Sequence, residues 1–183
     1  MVSEEYKQKN GFTPDRVAQV IEQFYARVDQ AAEKTIQALA DAGISLHCKK
    51  GCCGCCRDDL SVTQSEAALI KARFSNVLQE HPHEKGACPF LDQEGACRIY
   101  PVRPYICRTH GLPLRWTDED EAGEDYEERD ICEHNNHIDL LSLSREQCWT
   151  LGLPELQLAQ IDQITFGNDA RIRLRDLFQN KPE

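Results

Sequence analysis

Apolar positions in the N-terminal part of the chain recur at alternating intervals of four and three residues, the spacing of an α-helix with one apolar face. Thr13 followed by Pro14 is typical of a helix start, and Gly43 is a typical C-terminal stop. The pattern predicts a long helix over residues 14–43, whose apolar face packs into the core or, as the less favoured alternative, forms a dimer seam. The predicted face consists of Val17, Ile21, Phe24, Val28, Ala31 and Thr35.

Later segments predict shorter elements. A capping box at residues 63–66 opens a helix that runs to about Gln79, and residues 144–147 form a second capping box. Short apolar runs on both sides of residues 92–95 predict a small β-hairpin. The expected fold is therefore mainly α, a helical domain with a cysteine-rich metal-binding knuckle and one hairpin. Two further helices are predicted over residues 154–165 and 168–179, within a helical C-terminal segment at residues 144–180.

Length and charge narrow the class of protein. At 183 residues the chain can bury a core without help from a metal, and we expect a single domain over residues 1–183. The net charge of −10 is concentrated in residues 118–130, where nine acidic residues and one arginine contribute −8, and we interpret this segment as a solvated acidic loop. Because a basic stripe, a membrane-spanning apolar run and an export signal are all missing from the sequence, we expect a cytoplasmic protein that binds neither nucleic acid nor membranes.

Cysteine is the strongest chemical signal in the chain. Five of the ten cysteines lie within residues 48–56, where Gly51 and Gly54 allow the backbone to wrap tightly. In a reducing cytoplasm this density favours binding of a metal or cluster over a framework of structural disulfides. A second group and one further candidate follow, at Cys88, Cys97, Cys107 and Cys132.

The number of thiols exceeds the needs of one metal ion. A zinc ion takes four ligands, and an iron–sulfur cluster also commonly takes four cysteines. Because successive side chains usually point apart, Cys55 and Cys56 suit two metals, or two corners of a larger cluster, better than one small ion. Thiolate sites suit both zinc and iron, so the sequence leaves the choice between zinc and an iron–sulfur cluster open.

Basic side chains and histidines accompany the thiols. Cations close to a thiol lower its pKa, and their N–H groups can donate to sulfur. Arg103 and Arg108, which flank Cys107 in a proline-rich turn, are the favoured candidates for this role. The other basic neighbours are Lys49, Lys50, Arg57 and Arg98, and the neighbouring histidines, for which surface or hydrogen-bonding roles are favoured over ligation, are His110, His134 and His137.

Several motifs combine within residues 46–110. They are Cys48-x3-Cys52-x2-Cys55-Cys56, Thr63-x2-Glu66, Cys88-Pro-Phe-Leu, Gly95-x-Cys97-x-Ile-Tyr100 and Arg103-Pro104-x2-Cys107-Arg108. In these motifs the chain resembles the YkgJ-type family of zinc- or iron-chelating proteins with a CxxCxxCC domain. The resemblance implies metal ligands at Cys48, Cys52, Cys55, Cys56, Cys88, Cys97 and Cys107, to which we add Cys132 as an eighth candidate.

Two cysteines stand apart from this set. Cys53 departs from the family pattern, and its role is not assigned. Cys148 precedes Trp149 in a predicted helix and is interpreted as a buried hydrophobic residue.

Three functions are compatible with the thiols. The favoured one is a cytoplasmic protein that holds zinc or an iron–sulfur centre, as a structural core or as an electron-transfer or binding module. The second is a metal- or cluster-dependent oxidoreductase or protein-modifying enzyme, for which no catalytic residue can be assigned. The third is a thiol redox protein using Cys52 with Cys55, or Cys53 with Cys56, but the βαβ surroundings of such motifs are missing.

Overall fold

The computed structural model describes residues 13–49 and 51–178. Three features discussed above lie outside the described residues: the N-terminal segment examined for an export signal, Lys50, and the end of the helix predicted over 168–179. The described α-helices are α1 (Pro14–Asp41), α2 (Gln64–Arg73), α3 (Tyr105–Thr109) and α4 (Leu153–Phe166). The described strands are β1 (Ser61–Thr63), β2 (Leu114–Glu119), β3 (Asp125–Asp130), β4 (Trp149–Thr150) and β5 (Arg171–Arg173). The fold is thus mainly α, with small sheets.

Helix α1 forms where the apolar pattern predicts it. The side chain of Thr13 accepts a hydrogen bond from the backbone N–H of Arg16 (3.3 Å), and Gly43 has a φ of +75°, the left-handed conformation common after a helix end. The buried face of the helix is part of the main core, which confirms the core interpretation over a dimer seam. One position was wrong, because Ala32 is buried while Ala31 is exposed.

Helix α2 begins at the predicted capping box but ends well before Gln79. Thr63 and Glu66 make the two reciprocal hydrogen bonds of the box. Beyond Phe74 the helix gives way to a 3-10 turn at Val77–Gln79, which buries Val77 and Leu78 in the core. The position of these two side chains in the core explains why the helix does not continue.

Helix α4 stabilises the start of α2 through one buried carboxylate. Asp162 is fully buried and accepts hydrogen bonds from the backbone N–H groups of Gln64 (2.7 Å) and Ser65 (3.0 Å). These donors belong to the first turn of α2, where no partner exists within the helix. The predicted helix over residues 154–165 is therefore confirmed, and it also caps a second helix.

The acidic segment 118–130 is a β-hairpin, which corrects the predicted loop. Strands β2 and β3 pair antiparallel, with Arg115 opposite Arg129. Glu127 lies between these two cations, at 3.1 Å from Arg115 and 2.6 Å from Arg129. The ion pairs neutralise one part of the acidic segment, and cross-strand pairs of this kind stabilise a ladder. Strand β4 then pairs with β2 in parallel.

The C-terminal segment contains less helix than predicted. Residues 171–173 form β5, which pairs with β1, and a 3-10 turn follows at Leu174–Leu177, so the helix predicted over 168–179 is wrong. The capping box at residues 144–147 opens only a 3-10 turn, because Trp149 enters strand β4 and donates from its backbone to Pro113 (2.7 Å). Pairing between distant strands overrides the local helix signal in both cases.

Two smaller predictions were also partly wrong. The hairpin predicted around residues 92–95 is reduced to a single bridge between Leu91 and Cys97. Cys148 lies in extended backbone and not in a helix, although it is buried as predicted and packs in a second core cluster with Leu39, Ile138 and Leu143. None of the described helices is long and apolar enough to cross a lipid bilayer.

Candidate metal centre

One cleft brings the predicted ligands together. It has a volume of about 670 Å³ and lies among the loop after α1, the segment between residues 88 and 112, and the turn after β3. Cys53 and Cys148 do not line it. The cysteines that line it are the eight predicted candidates, Cys48, Cys52, Cys55, Cys56, Cys88, Cys97, Cys107 and Cys132.

Close backbone packing holds the loop that carries the first five cysteines. A Cβ atom on Gly54 would lie 2.3 Å from Nε2 of His134, so only glycine allows the loop to approach this imidazole. The carbonyl of Cys56 accepts a hydrogen bond from the backbone N–H of Cys88 (2.9 Å). This bond joins the first group of cysteines to the second, although the two are far apart in sequence.

A tight turn positions Cys97. The side chain of Asp92 accepts hydrogen bonds from the backbone N–H groups of Glu94 (2.9 Å) and Ala96 (2.8 Å). An aspartate that bonds its own following backbone is a common turn former. The turn returns the chain to the bridge between Leu91 and Cys97, and Cys97 thereby faces the cleft.

Arg108 lines the cleft and anchors the turn before α3, and its hydrogen bonds go to oxygen atoms. Its buried guanidinium donates to the carbonyls of Pro101 (2.8 Å) and Arg103 (2.9 Å), and it lies 4.0 Å from the ring centre of Tyr25. Arg108 therefore fixes the backbone that carries Cys107. Arg103 also lines the cleft. Burial raises the pKa of Cys97, and Arg103 and Arg98 oppose that increase.

Burial raises the pKa of several of the cleft thiols. It raises the pKa of Cys88 to about 11, and it also raises the pKa of Cys107. Cys55 is the exception, because a hydrogen bond from the thiol of Cys56 and the nearby His110 and His134 lower the pKa of Cys55 to about 6 against the opposite effect of burial. Since a metal binds the thiolate, loading the cleft must release protons.

Cys48 lies at one end of the cleft against a fully buried amide. The side chain of Asn135 donates from Nδ2 to Sγ of Cys48 (3.4 Å) and to the carbonyl of Gly111 (3.0 Å). Its Oδ1 accepts a hydrogen bond from the backbone N–H of His47 (2.7 Å). Burial and the adjacent thiol of Cys132 raise the pKa of Cys48 to about 11, while the Asn135 hydrogen bond opposes them.

The sequence analysis missed Asn135. It is one of two asparagines between His134 and His137, where the cysteine and the histidines gave the sequence signal, and only the folded chain places it between Cys48 and Gly111. A Cβ atom on Gly111 would lie 2.8 Å from Sγ of Cys48, which shows how closely the two segments pack. A donor at this position can orient a metal-bound thiolate.

The three histidines near the thiols differ in position. His110 and His134 line the cleft. His137 does not line it and stacks on His47, with ring centres 4.4 Å apart. The expectation that histidines lie outside the ligand set is therefore supported for His137, whereas His110 and His134 are near enough to the thiols to act on the pKa of Cys55.

The chemistry of the cleft fits zinc or an iron–sulfur centre. Eight sulfur atoms and two imidazoles face one cavity, and these are the donors that zinc and iron–sulfur clusters take. Among the described residues, no three Cys, His, Asp or Glu side chains are arranged to hold an ion, so the knuckle of the predicted fold is not formed as a closed site.

A cleft lined by eight cysteines defines the class of protein, a cysteine-rich domain with the donors of a metal chelator. The chain belongs to the CxxCxxCC family, described as "Putative zinc- or iron-chelating domain", whose family model matches residues 47–148. This match extends beyond the block at 46–110 and includes Cys132.

One similar protein comes from an archaeon. Over 82 residues the chain is 38% identical to the uncharacterized protein MJ0661 of Methanocaldococcus jannaschii, which covers 36% of this chain and 44% of that protein. The chain thus matches less than half of the length of this relative. No solved structure matches the chain.

Proposed function

We propose that this protein binds zinc or an iron–sulfur centre through the thiolates of its cleft. The observation that carries the proposal is that the eight predicted cysteines line one cleft, while Cys53 and Cys148 lie elsewhere. Cysteines used only as small buried side chains would have no reason to face a common cavity. The proposed ligands are Cys48, Cys52, Cys55, Cys56, Cys88, Cys97, Cys107 and Cys132.

The surroundings of the cleft suit a site with several thiolates. Arg57 and Arg103 line it, and Arg103 acts favourably on the thiolate form of Cys97. Positive groups near the cavity offset the negative charge that accumulates when several thiols are deprotonated. We place the protein in the cytoplasm, where these thiols would stay reduced until they bind a metal.

Metal content and a visible spectrum of anaerobically purified protein test the proposal. We expect stoichiometric zinc without colour, or iron together with acid-labile sulfide and broad visible absorption. The triple variant Cys48→Ser/Cys56→Ser/Cys107→Ser should lose most of the metal, while the control Cys148→Ser, whose thiol is buried outside the cleft, should keep it. A wild-type protein without zinc or iron, before and after anaerobic reconstitution, would disprove the proposed function.

The buried amide at Cys48 provides a second prediction. Replacing Asn135 by Ala should weaken zinc affinity by roughly 10–100-fold, because it removes the hydrogen bond that orients Cys48. Competition with a chromophoric zinc chelator measures the change. Asn136→Ala is the control, since Asn136 is the adjacent exposed amide. Equal affinities for the two variants would show that Asn135 does not support the metal.

A further inference from the structure

The fold divides the cysteine run of residues 48–56 into two parts. The dividing point is Gly54, which is packed directly against the imidazole of His134. Cys48 and Cys52 precede this point, and Cys55 and Cys56 follow it. The spacing in the sequence suggests that the whole run forms one half of a site. In the fold, however, the two parts of the run contact different segments of the chain.

The first part associates with the turn after β3. The backbone N–H of Asn135 donates to the carbonyl of Cys132 (2.7 Å). The backbone N–H of Cys52 donates to the carbonyl of Lys49, the residue after Cys48 (2.9 Å). The side chain of Asn135, three residues after Cys132, donates to the Cys48 sulfur at 3.4 Å. Cys48, Cys52 and Cys132 therefore form one cluster, which we call the outer thiols.

The second part associates with the segment from residue 88 to residue 107. The carbonyl of Cys56, which directly follows Cys55, accepts a hydrogen bond from the backbone N–H of Cys88 (2.9 Å). The bridge between Leu91 and Cys97 joins Cys97 to the segment that begins at Cys88, and Cys107 lines the same cleft. The members of this second cluster, which we call the inner thiols, are Cys55, Cys56, Cys88, Cys97 and Cys107.

We propose, on the basis of the metal-binding function above, that the cleft holds two separate metal centres, one on the outer thiols and one on the inner thiols. A tetrahedral metal takes four ligands, and the five inner thiols can satisfy one completely. The three outer thiols leave one coordination position for the imidazole of His134, which lines the cleft, or for an external ligand.

The two centres differ in the role they can take. A metal enclosed by four protein ligands is typical of structural sites, whereas a metal that keeps one position for an external ligand can exchange that ligand. The outer centre is therefore the one at which this protein would exchange a metal or bind a further ligand.

Cadmium-113 NMR and metal analysis of the full chain loaded with Cd²⁺ test the two-centre proposal. We expect about two equivalents of metal and two resonances for the wild-type protein. Cys132→Ser should lose the outer resonance and keep the inner one. The double variant Cys88→Ser/Cys107→Ser, which leaves only three inner thiols, should show the reverse. Cys148→Ser, outside the cleft, is the matched control and should keep both. A limited amount of chelator should remove the outer metal first.

The outcomes separate this proposal from the metal-binding function itself. A single equivalent in the wild-type protein, or loss of all metal in both Cys132→Ser and Cys88→Ser/Cys107→Ser while circular dichroism shows them folded, would overturn the two centres and leave metal binding intact. No metal in the wild-type protein would overturn both. If the variants unfold, the wild-type stoichiometry and the number of wild-type resonances decide the matter alone.

Discussion

Removal of the metal should lower the free energy of unfolding by about 4 kcal/mol. This is the stabilisation expected when the free metal concentration is roughly 1,000 times the Kd of the metal for the folded protein. The reason is that the ligands come from segments which only the fold brings together, from Cys48 to Cys132, so the unfolded chain cannot reproduce the site. Urea unfolding under reducing conditions, with and without a chelator, measures the difference. Trp149 is a suitable fluorescent probe because it is buried and donates to the hydroxyl of Tyr105 (2.9 Å).

The control for this experiment is Cys53→Ser. Cys53 is exposed and does not line the cleft, so its variant should respond to the chelator as the wild-type protein does. The fold should survive chelation, since the main core contains no proposed ligand other than Cys88 among its fully buried members. An unchanged unfolding curve, measured on protein whose metal content has fallen, would contradict the coupling between metal and stability.

The Glu66→Ala substitution should lower the free energy of unfolding by about 3–5 kcal/mol, because several buried hydrogen-bond donors would lose their acceptor. Oε1 accepts hydrogen bonds from the hydroxyl of Tyr25 (2.9 Å) and the backbone of Tyr105 (2.8 Å), and Oε2 accepts from the backbone (3.0 Å) and hydroxyl (3.2 Å) of Thr63. Glu66 is 3% exposed, so water cannot replace these bonds in the folded state. Because Tyr105 begins α3, the change should also disturb the position of Cys107.

Two further variants test this role of Glu66. Glu66→Gln should still cost about 1–3 kcal/mol, because its amide nitrogen would face a backbone N–H whichever way the side chain turns. Glu33→Ala, at an exposed position of α1, is the control and should change stability by less than about 0.5 kcal/mol. Thermal unfolding with circular dichroism measures all three. A Glu66→Gln variant as stable as the wild-type protein would show that only one oxygen of Glu66 is needed.

Local signals predicted the helices that depend on local interactions. The cap at Thr13, the apolar face from Val17 to Thr35 and the glycine at residue 43 all act within a few residues of each other. The capping box at Thr63 is of the same kind. These interactions need no distant partner, and the structure therefore reproduces the predicted starts of α1 and α2.

Elements that depend on distant partners could not be predicted in this way. Residues 171–173 become a strand because they pair with β1, which lies more than a hundred residues earlier in the chain. The acidic segment 118–130 becomes a hairpin because Arg115 and Arg129 meet at Glu127. Helix propensity and net charge describe a residue in isolation, and tertiary pairing overrides them.

The sequence by itself determined the chemistry of this protein, because the number and clustering of its cysteines limit the cleft to ligands that bind sulfur. Only the tertiary structure decided which thiols are neighbours: Cys48 lies with Cys132, and Cys56 lies with Cys88. The physical reason is that chain spacing restricts contacts only within a short loop. Contacts between distant segments depend on how the helices and turns pack, as the position of Asn135 against Cys48 shows.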